Sequence, residues 1–212
     1  MEKRNNKKED KITFKIITLG DSEVGKTSII RRYLENKFAY DTLPTLGFIN
    51  YKKKIILKDK KNIYLELCDT SGQERFASLS MQYVKNADTV LFVFDLNSKK
   101  SFNGMKNWMK FFNDNANKDN NMLAYLIGNK KDLERKVKDE EIELFKDEHK
   151  DLIYKETSAK EEDNHIEELF QELGELLYYK HKKNPYKNKS NIRRLRNYDE
   201  NKKGCLISKC KI

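Results

Sequence analysis

The run Gly20-Asp21-Ser22-Glu23-Val24-Gly25-Lys26-Thr27 constrains this chain more than any other, because it fits the pattern G-x-x-x-x-G-K-[ST] between a β-like run and a helical one. A tight glycine loop that opens a helix aims several backbone N–H groups at one point, and the helix dipole adds positive potential there. A phosphate chain is the ligand that suits such a point. Lys26 adds a point charge for the β- and γ-phosphates, and the Thr27 hydroxyl can ligate Mg²⁺. Ser28, next along the helix, is counted with the same phosphate-binding set.

Around this loop the chain alternates short β-like runs with amphipathic helical patterns, which predicts parallel α/β architecture. Strands are expected over residues 12–19, 48–57, 63–68, 89–95, 122–128 and 152–156. Helices are expected over 26–36, 99–113, 138–149 and 163–179. Only the polar stretch 58–62 joins the second and third strands, too short for a crossover helix, so that pair should be an antiparallel hairpin. Phe102, Met105, Trp108, Met109 and Phe112 recur at helical spacing and read as a core stripe. Ile166, Leu169, Phe170, Leu173, Leu176 and Leu177 do the same in the last helix. The predicted fold is a six-stranded, mostly parallel sheet flanked by helices, with ligands beyond the carboxyl ends of the strands.

Every remaining motif falls at that edge. Asn129-Lys130-Lys131-Asp132 follows the fifth strand and Ser158-Ala159-Lys160 follows the sixth. A carboxylate at Asp132 can accept from both the ring N–H and the exocyclic amine of guanine, a donor pair that adenine lacks. Lys130 can lay its aliphatic stem over the base. Asp69-Thr70-Ser71-Gly72-Gln73 follows the third strand: Asp69 can hold Mg²⁺ through water, Gly72 lets its N–H approach a γ-phosphate, and Gln73 can orient an attacking water. Thr45 offers a hydroxyl to complete the magnesium shell when the third phosphate is present.

The net charge of +10 belongs to the tail. Residues 180–212 hold 12 Lys+Arg against 2 Asp+Glu, so of the chain's 44 basic and 34 acidic residues the first 179 keep 32 of each. A neutral globular part argues against nucleic acid as its partner. No apolar run approaches the roughly 18 residues of a membrane span, and residues 1–11 lack the character of a secretory signal or transit peptide. Glu2 in place of glycine excludes N-myristoylation. Three cysteines do not make a disulfide framework: Cys68 reads as a small buried apolar residue, and Cys205 and Cys210 lie near the end.

The ordered set GDSEVGKT, PTLGF, CDTSGQERF, GNKKD and ETSAK resembles the Ras superfamily across about residues 12–180. Within it the chain looks most like a Rab, through Ser22, the run after Thr45, Gln73-Glu74-Arg75-Phe76, Tyr83, Phe94-Asp95 and Ser101-Phe102. The resemblance implies that Asp21, Ser22, Glu23, Val24, Gly25, Lys26 and Thr27 cradle the phosphates. Thr27 and Thr45 would lie on Mg²⁺ with Asp69 behind it, and Phe38 on the edge of the base. Gly72 would sense the γ-phosphate and Gln73 position the water, with Lys26 stabilising charge. Asn129, Lys130, Asp132, Ser158, Ala159 and Lys160 would form the guanine pocket. It further implies a GTP/GDP switch in vesicle traffic, acting as a monomer. Effectors, an exchange factor and a GTPase-activating protein would meet it through residues 38–48 and 70–84. The expected location is the cytosol and the cytoplasmic face of intracellular membranes. The stretch Phe76 to Asp95, with SLSMQYVKNAD, is closest to the Golgi-acting Rabs.

Departures from the family pattern matter. Glu23 stands where a small residue is usual, so its carboxylate either points to solvent or slows turnover. Ser71 replaces an alanine, and Cys68 replaces the tryptophan of the Rab hydrophobic triad. Cys205 and Cys210 match neither the paired-cysteine ending nor the C-a-a-X template. The tail is either a lipidated, polybasic membrane anchor or a solvated basic segment with free thiols. A leader at 1–11, a nucleotide-binding domain at 12–180 and a basic tail at 181–212 complete the expected organisation. Three activities compete: a GTP-hydrolysing switch without an arginine of its own in the site, a hydrolysis-deficient GTP-binding scaffold, and an ATP-using enzyme.

Overall fold

The computed structural model describes residues 11–40, 43–45, 47–72, 83–116 and 122–183. Its elements run β1 (Thr13–Leu19), α1 (Lys26–Glu35), β2 (Phe48–Ile56), β3 (Asn62–Thr70), β4 (Thr89–Asp95), α2 (Lys99–Asn115), β5 (Leu123–Asn129), α3 (Asp139–Glu148), β6 (Leu152–Glu156) and α4 (His165–Lys183). The six strands form one sheet in the order β2-β3-β1-β4-β5-β6. Only β2 runs antiparallel, pairing Phe48 with Thr70 and Ile56 with Asn62 in the expected hairpin. The other neighbours are parallel. One compact unit is Met1–Glu175; the second starts at Leu176, inside α4.

Sequence pattern explains who sits inside. The near-continuous apolar run of β4 is buried along its whole length, as a central parallel strand covered on both faces requires. The edge strand β2 is mostly half-buried or exposed. On α2 the five stripe residues are all buried, packed with Phe92 and Phe94 of β4 and with Ile142 and Phe145 of α3. Ser98 starts that helix by accepting the Ser101 N–H. Ile166, Leu169, Phe170 and Leu173 of α4 are likewise buried. Gly174 lets α4 press close to β2, since a Cβ there would stand 2.5 Å from Ile55 Cδ1.

Strand β3 runs past the expected 63–68 to Thr70. Hairpin pairing explains it: Ile49 and Phe48 hold Asp69 and Thr70 in register, and the Thr70 hydroxyl donates to Thr18 O at 2.6 Å. Asp69 therefore stands on a rigid strand end, not in a loop. The first helix stops at Glu35 because Asn36 turns left-handed at φ 52° while its N–H still bonds Arg32 O. Cys68 is fully buried, as expected, and its S–H donates to Asn50 Oδ1 at 2.7 Å. Among the described residues no helix is long and apolar enough to cross a membrane. Residues 1–10 and 184–212, with Cys205 and Cys210, lie outside the described residues.

Asp88 precedes β4 and bonds reciprocally with Lys15 of β1. Its carboxylate accepts the Lys15 N–H at 2.8 Å, and its own N–H donates to Lys15 O. Burial pushes this carboxyl up from the ordinary aspartate range to about 6. A raised acid binds its proton more tightly folded than unfolded, so its contribution to stability declines as pH rises from about 4 through 6. Asp88→Asn keeps an oxygen for Lys15 and removes the charge. We expect it to stabilise the protein at pH 7.5 by about 1–2 kcal/mol and to match the parent near pH 3.5. Urea titrations across that range measure the difference; an equal deficit at every pH would contradict it.

Candidate functional site

A cleft of about 600 Å³ opens at the carboxyl ends of the strands. The phosphate loop supplies its floor through Ser22, Glu23 and Gly25 to Ser28, Phe38 to Tyr40 and Leu43 to Thr45 form one wall, and Thr70 to Gly72 another. Asn129, Lys130, Asp132, Ala159 and Lys160 close the far end. Lys26 and Asp132 thus share one cleft.

At the phosphate end, Gly25 caps α1 at φ 96° with no side-chain cap, and no acidic residue occupies the first turn. The first N–H groups of α1 are left for an anion. Lys26 Nζ donates to Gly20 O at 2.8 Å and to Asp21 O at 2.7 Å. Burial lowers its ammonium to about 8, against the pull of Asp69 and Asp21. Three oxygens converge beside it. Thr27 Oγ1 donates to Asp69 Oδ2 at 2.7 Å and lies 2.8 Å from Thr45 Oγ1, which in turn stands 3.5 Å from Asp69 Oδ2. Burial drives the Asp69 carboxyl upward, opposed by the Thr27 hydrogen bond. Asp69 Oδ1 is buried with no hydrogen-bond partner among the described residues. A buried, unpaired carboxylate oxygen beside two hydroxyls is a hard, oxygen-only donor set of the kind a magnesium ion takes.

Gly72 closes on the phosphate loop so tightly that a Cβ would stand 2.3 Å from Asp21 C. Ser71 N–H donates to Gly47 O at 2.8 Å, tying the two walls together. Glu23 is exposed at φ 66°, a left-handed conformation that costs a side-chain-bearing residue about 1–2 kcal/mol. Val24 is buried under the loop. Gln73 lies outside the described residues.

At the far end Asp132 Oδ1 accepts the Ser158 hydroxyl at 2.7 Å, and Lys160 Nζ stands 3.9 Å from Oδ2. Ser158 also accepts the N–H groups of Lys160 and Glu161. Ser158 and Ala159 are buried, so the loop after β6 is rigidly placed. Lys130 sits at φ 62° with its ammonium 2.8 Å from Asp95 Oδ2. Asn129 lines the cleft and also has a framework role. Its Nδ2 donates to Val24 O at 2.9 Å and its Oδ1 accepts the Thr157 hydroxyl at 3.2 Å. It stitches the phosphate loop to β5 and to the loop after β6. Phe38 is half-buried, with the exposed Tyr40 ring edge-on at 5.0 Å.

Sequence reasoning passed over Arg32. It is buried on α1, and its guanidinium donates to Ala159 O at 2.9 Å and Lys160 O at 3.0 Å, so it holds the far-end loop from beneath. The available signal was an arginine on the apolar face of α1, among Ile29, Ile30 and Tyr33.

The Ras family model matches residues 15–179. The chain is 34% identical over 198 residues to Ras-related protein Rab-11B of Dictyostelium discoideum, covering 92% of this chain and 86% of that protein. It is 36% identical over 178 residues to Ras-related protein SEC4 of Saccharomyces cerevisiae, covering 83% and 80%. It is similar as well to GTP-binding protein YPT53 of the same yeast, 37% identical over 173 residues, covering 78% and 77%.

Proposed function

The chain belongs to the Ras family, and on that premise we propose that it is a Rab-like small GTPase, a GTP/GDP switch in vesicle traffic. One observation carries the reading: Lys26 and Asp132 line a single cleft, one suited to phosphates and the other to a guanine edge. The N–H groups of the phosphate loop and Lys26 bind the β- and γ-phosphates. Asp132, fixed by Ser158, accepts from guanine, and the Lys130 stem and Phe38 flank the base. Thr27 and Thr45, with Asp69 behind them, would hold Mg²⁺, which when bound neutralises phosphate charge. Gln73 orients water for in-line attack on the γ-phosphate, and Lys26 stabilises the charge that develops. With no arginine among the described residues that line the cleft, intrinsic turnover is slow and a GTPase-activating protein supplies what is missing. Loss of the γ-phosphate frees the Thr45 and Gly72 segments, and this is the switch.

Effectors, exchange factor and activating protein meet the molecule on 38–48 and 70–84, where Tyr40 and Leu43 are exposed apolar side chains. The basic tail and Cys205 or Cys210 bring it to the cytoplasmic face of an intracellular membrane, with the Golgi as the compartment its sequence most suggests. Purified protein with Mg²⁺ and GTP should release phosphate, faster with activating proteins, and ATP should not displace labelled GTP at similar concentrations. No release under any of these conditions would refute hydrolysis, and displacement by ATP would refute guanine selection.

The second reading, a hydrolysis-deficient scaffold, rests on Glu23 in the phosphate loop. Glu23→Gly relieves the left-handed strain, so we expect a gain of about 0.5–1 kcal/mol in stability. Because the side chain is exposed, its single-turnover GTP rate should stay within about threefold of the parent. A tenfold or larger acceleration would favour the scaffold.

A further inference from the structure

A polar contact reaches from the apolar stripe of α2 to the phosphate loop. The Trp108 indole of α2 donates from Nε1 to Asp21 Oδ1 at 2.7 Å. Trp108 is the chain's only tryptophan and is 8% exposed within the apolar stripe. A buried indole N–H must find an acceptor, and here the acceptor is a carboxylate of the phosphate loop itself.

The neighbours of Asp21 show what that contact controls. Gly104, one turn earlier on α2, lies so close that a Cβ would stand 2.9 Å from Asp21 Oδ2. On the other side Gly72 rests on the backbone of Asp21 and Ser22, where a Cβ would approach to 2.3 Å. Asp21 O also accepts from Lys26 Nζ. Helix α2, the Gly72 segment and the Lys26 ammonium therefore meet on one residue. Asp21 cannot shift without disturbing all three.

We propose that Trp108 is a positioning residue for nucleotide binding. Its N–H fixes Asp21, Asp21 sets Lys26 and the seat of Gly72, and α2 is thereby coupled to the state of the γ-phosphate end. The proposal deepens the guanine-nucleotide reading and rests on it.

Trp108→Phe keeps an aromatic ring in the core and deletes the donor. Dissociation of a fluorescent GDP analogue, chased with excess GDP, should be about tenfold faster than in the parent, the scale of one hydrogen bond to a charged group. Asp21→Ala should accelerate it similarly, and the double variant no further, because both delete the same contact. Asp21→Asn retains an oxygen acceptor and should return most of the parent rate. Phe112→Leu loosens the same helix but leaves the N–H in place; it should lower the melting temperature and leave dissociation near the parent rate. In the parent, Trp108 emission should shift between GDP and a non-hydrolysable GTP analogue, because Gly72 rests on the residue the indole holds. Parent-like dissociation from Trp108→Phe overturns the proposal, as does equal acceleration by Phe112→Leu or unchanged emission. Failure of the parent itself to retain the GDP analogue overturns the nucleotide reading instead.

Discussion

Asp132→Ala should weaken GDP and GTP binding by about 10⁴-fold and leave ADP and ATP binding, already weak, nearly unchanged. The cause is local. Asp132 is a mostly buried carboxylate whose Oδ1 is committed to Ser158, which leaves Oδ2 and a remaining lone pair for the ligand. A site built around a hydrogen-bonding pair rejects a ligand that lacks the partner groups far more strongly than one built on apolar contact. Removing the carboxylate removes the rejection with the attraction, so the GDP/ADP preference should collapse toward unity. Guanosine, which carries no phosphate, should lose affinity by a similar factor. Calorimetric or fluorescence titration with GDP, ADP and guanosine measures all three. A variant that still prefers GDP a thousandfold would place base recognition elsewhere.

Lys26→Ala should act at the other end of the cleft. Loss of a buried ammonium that would face phosphates is expected to weaken GDP binding by about 10²–10³-fold, with guanosine binding within about threefold of the parent. The opposite patterns of the two variants on guanosine separate phosphate from base recognition. A pH signature accompanies the first. Burial holds Lys26 at about 8, and neighbouring Asp69 and Asp21 do not restore it. A bound phosphate favours the charged form, so the parent takes up a proton on binding GDP above pH 8. Its GDP affinity should therefore fall as pH rises from 8 toward 10 more steeply than that of Lys26→Ala. Parallel pH profiles for the two proteins would contradict the charge-based role.

Much of the architecture was legible because periodicity is written locally. The alternation of apolar runs marked each of the six strands within a few residues, and the stripe on α2 is buried as its spacing implied. The short 58–62 connection forced the hairpin. The end of β3 escaped because Asp69 and Thr70 are strand residues only by virtue of their partners on β2. No local propensity states that.

The candidate site divides along the same line. Contiguous motifs declared themselves: a glycine loop ahead of a helix, N-K-x-D after β5, S-A-K after β6. Asn129 lines the cleft as its motif implied, but the motif did not show that its amide also spans Val24 and Thr157, residues 105 and 28 positions away. Arg32 and Trp108 carried no motif at all. One bonds carbonyls 127 and 128 residues distant, the other a carboxylate 87 residues distant.

The sequence by itself determined which chemical groups are present and which element each is born on, because loop conformation, helix dipole and strand period depend on near neighbours. Tertiary structure alone decided how those groups share their hydrogen bonds. Burial makes most donors and acceptors find a partner, and the partner is whichever group the packed sheet and helices bring within reach. That is why Asp69 stands beside two threonine hydroxyls, and why a core tryptophan ends on the phosphate loop.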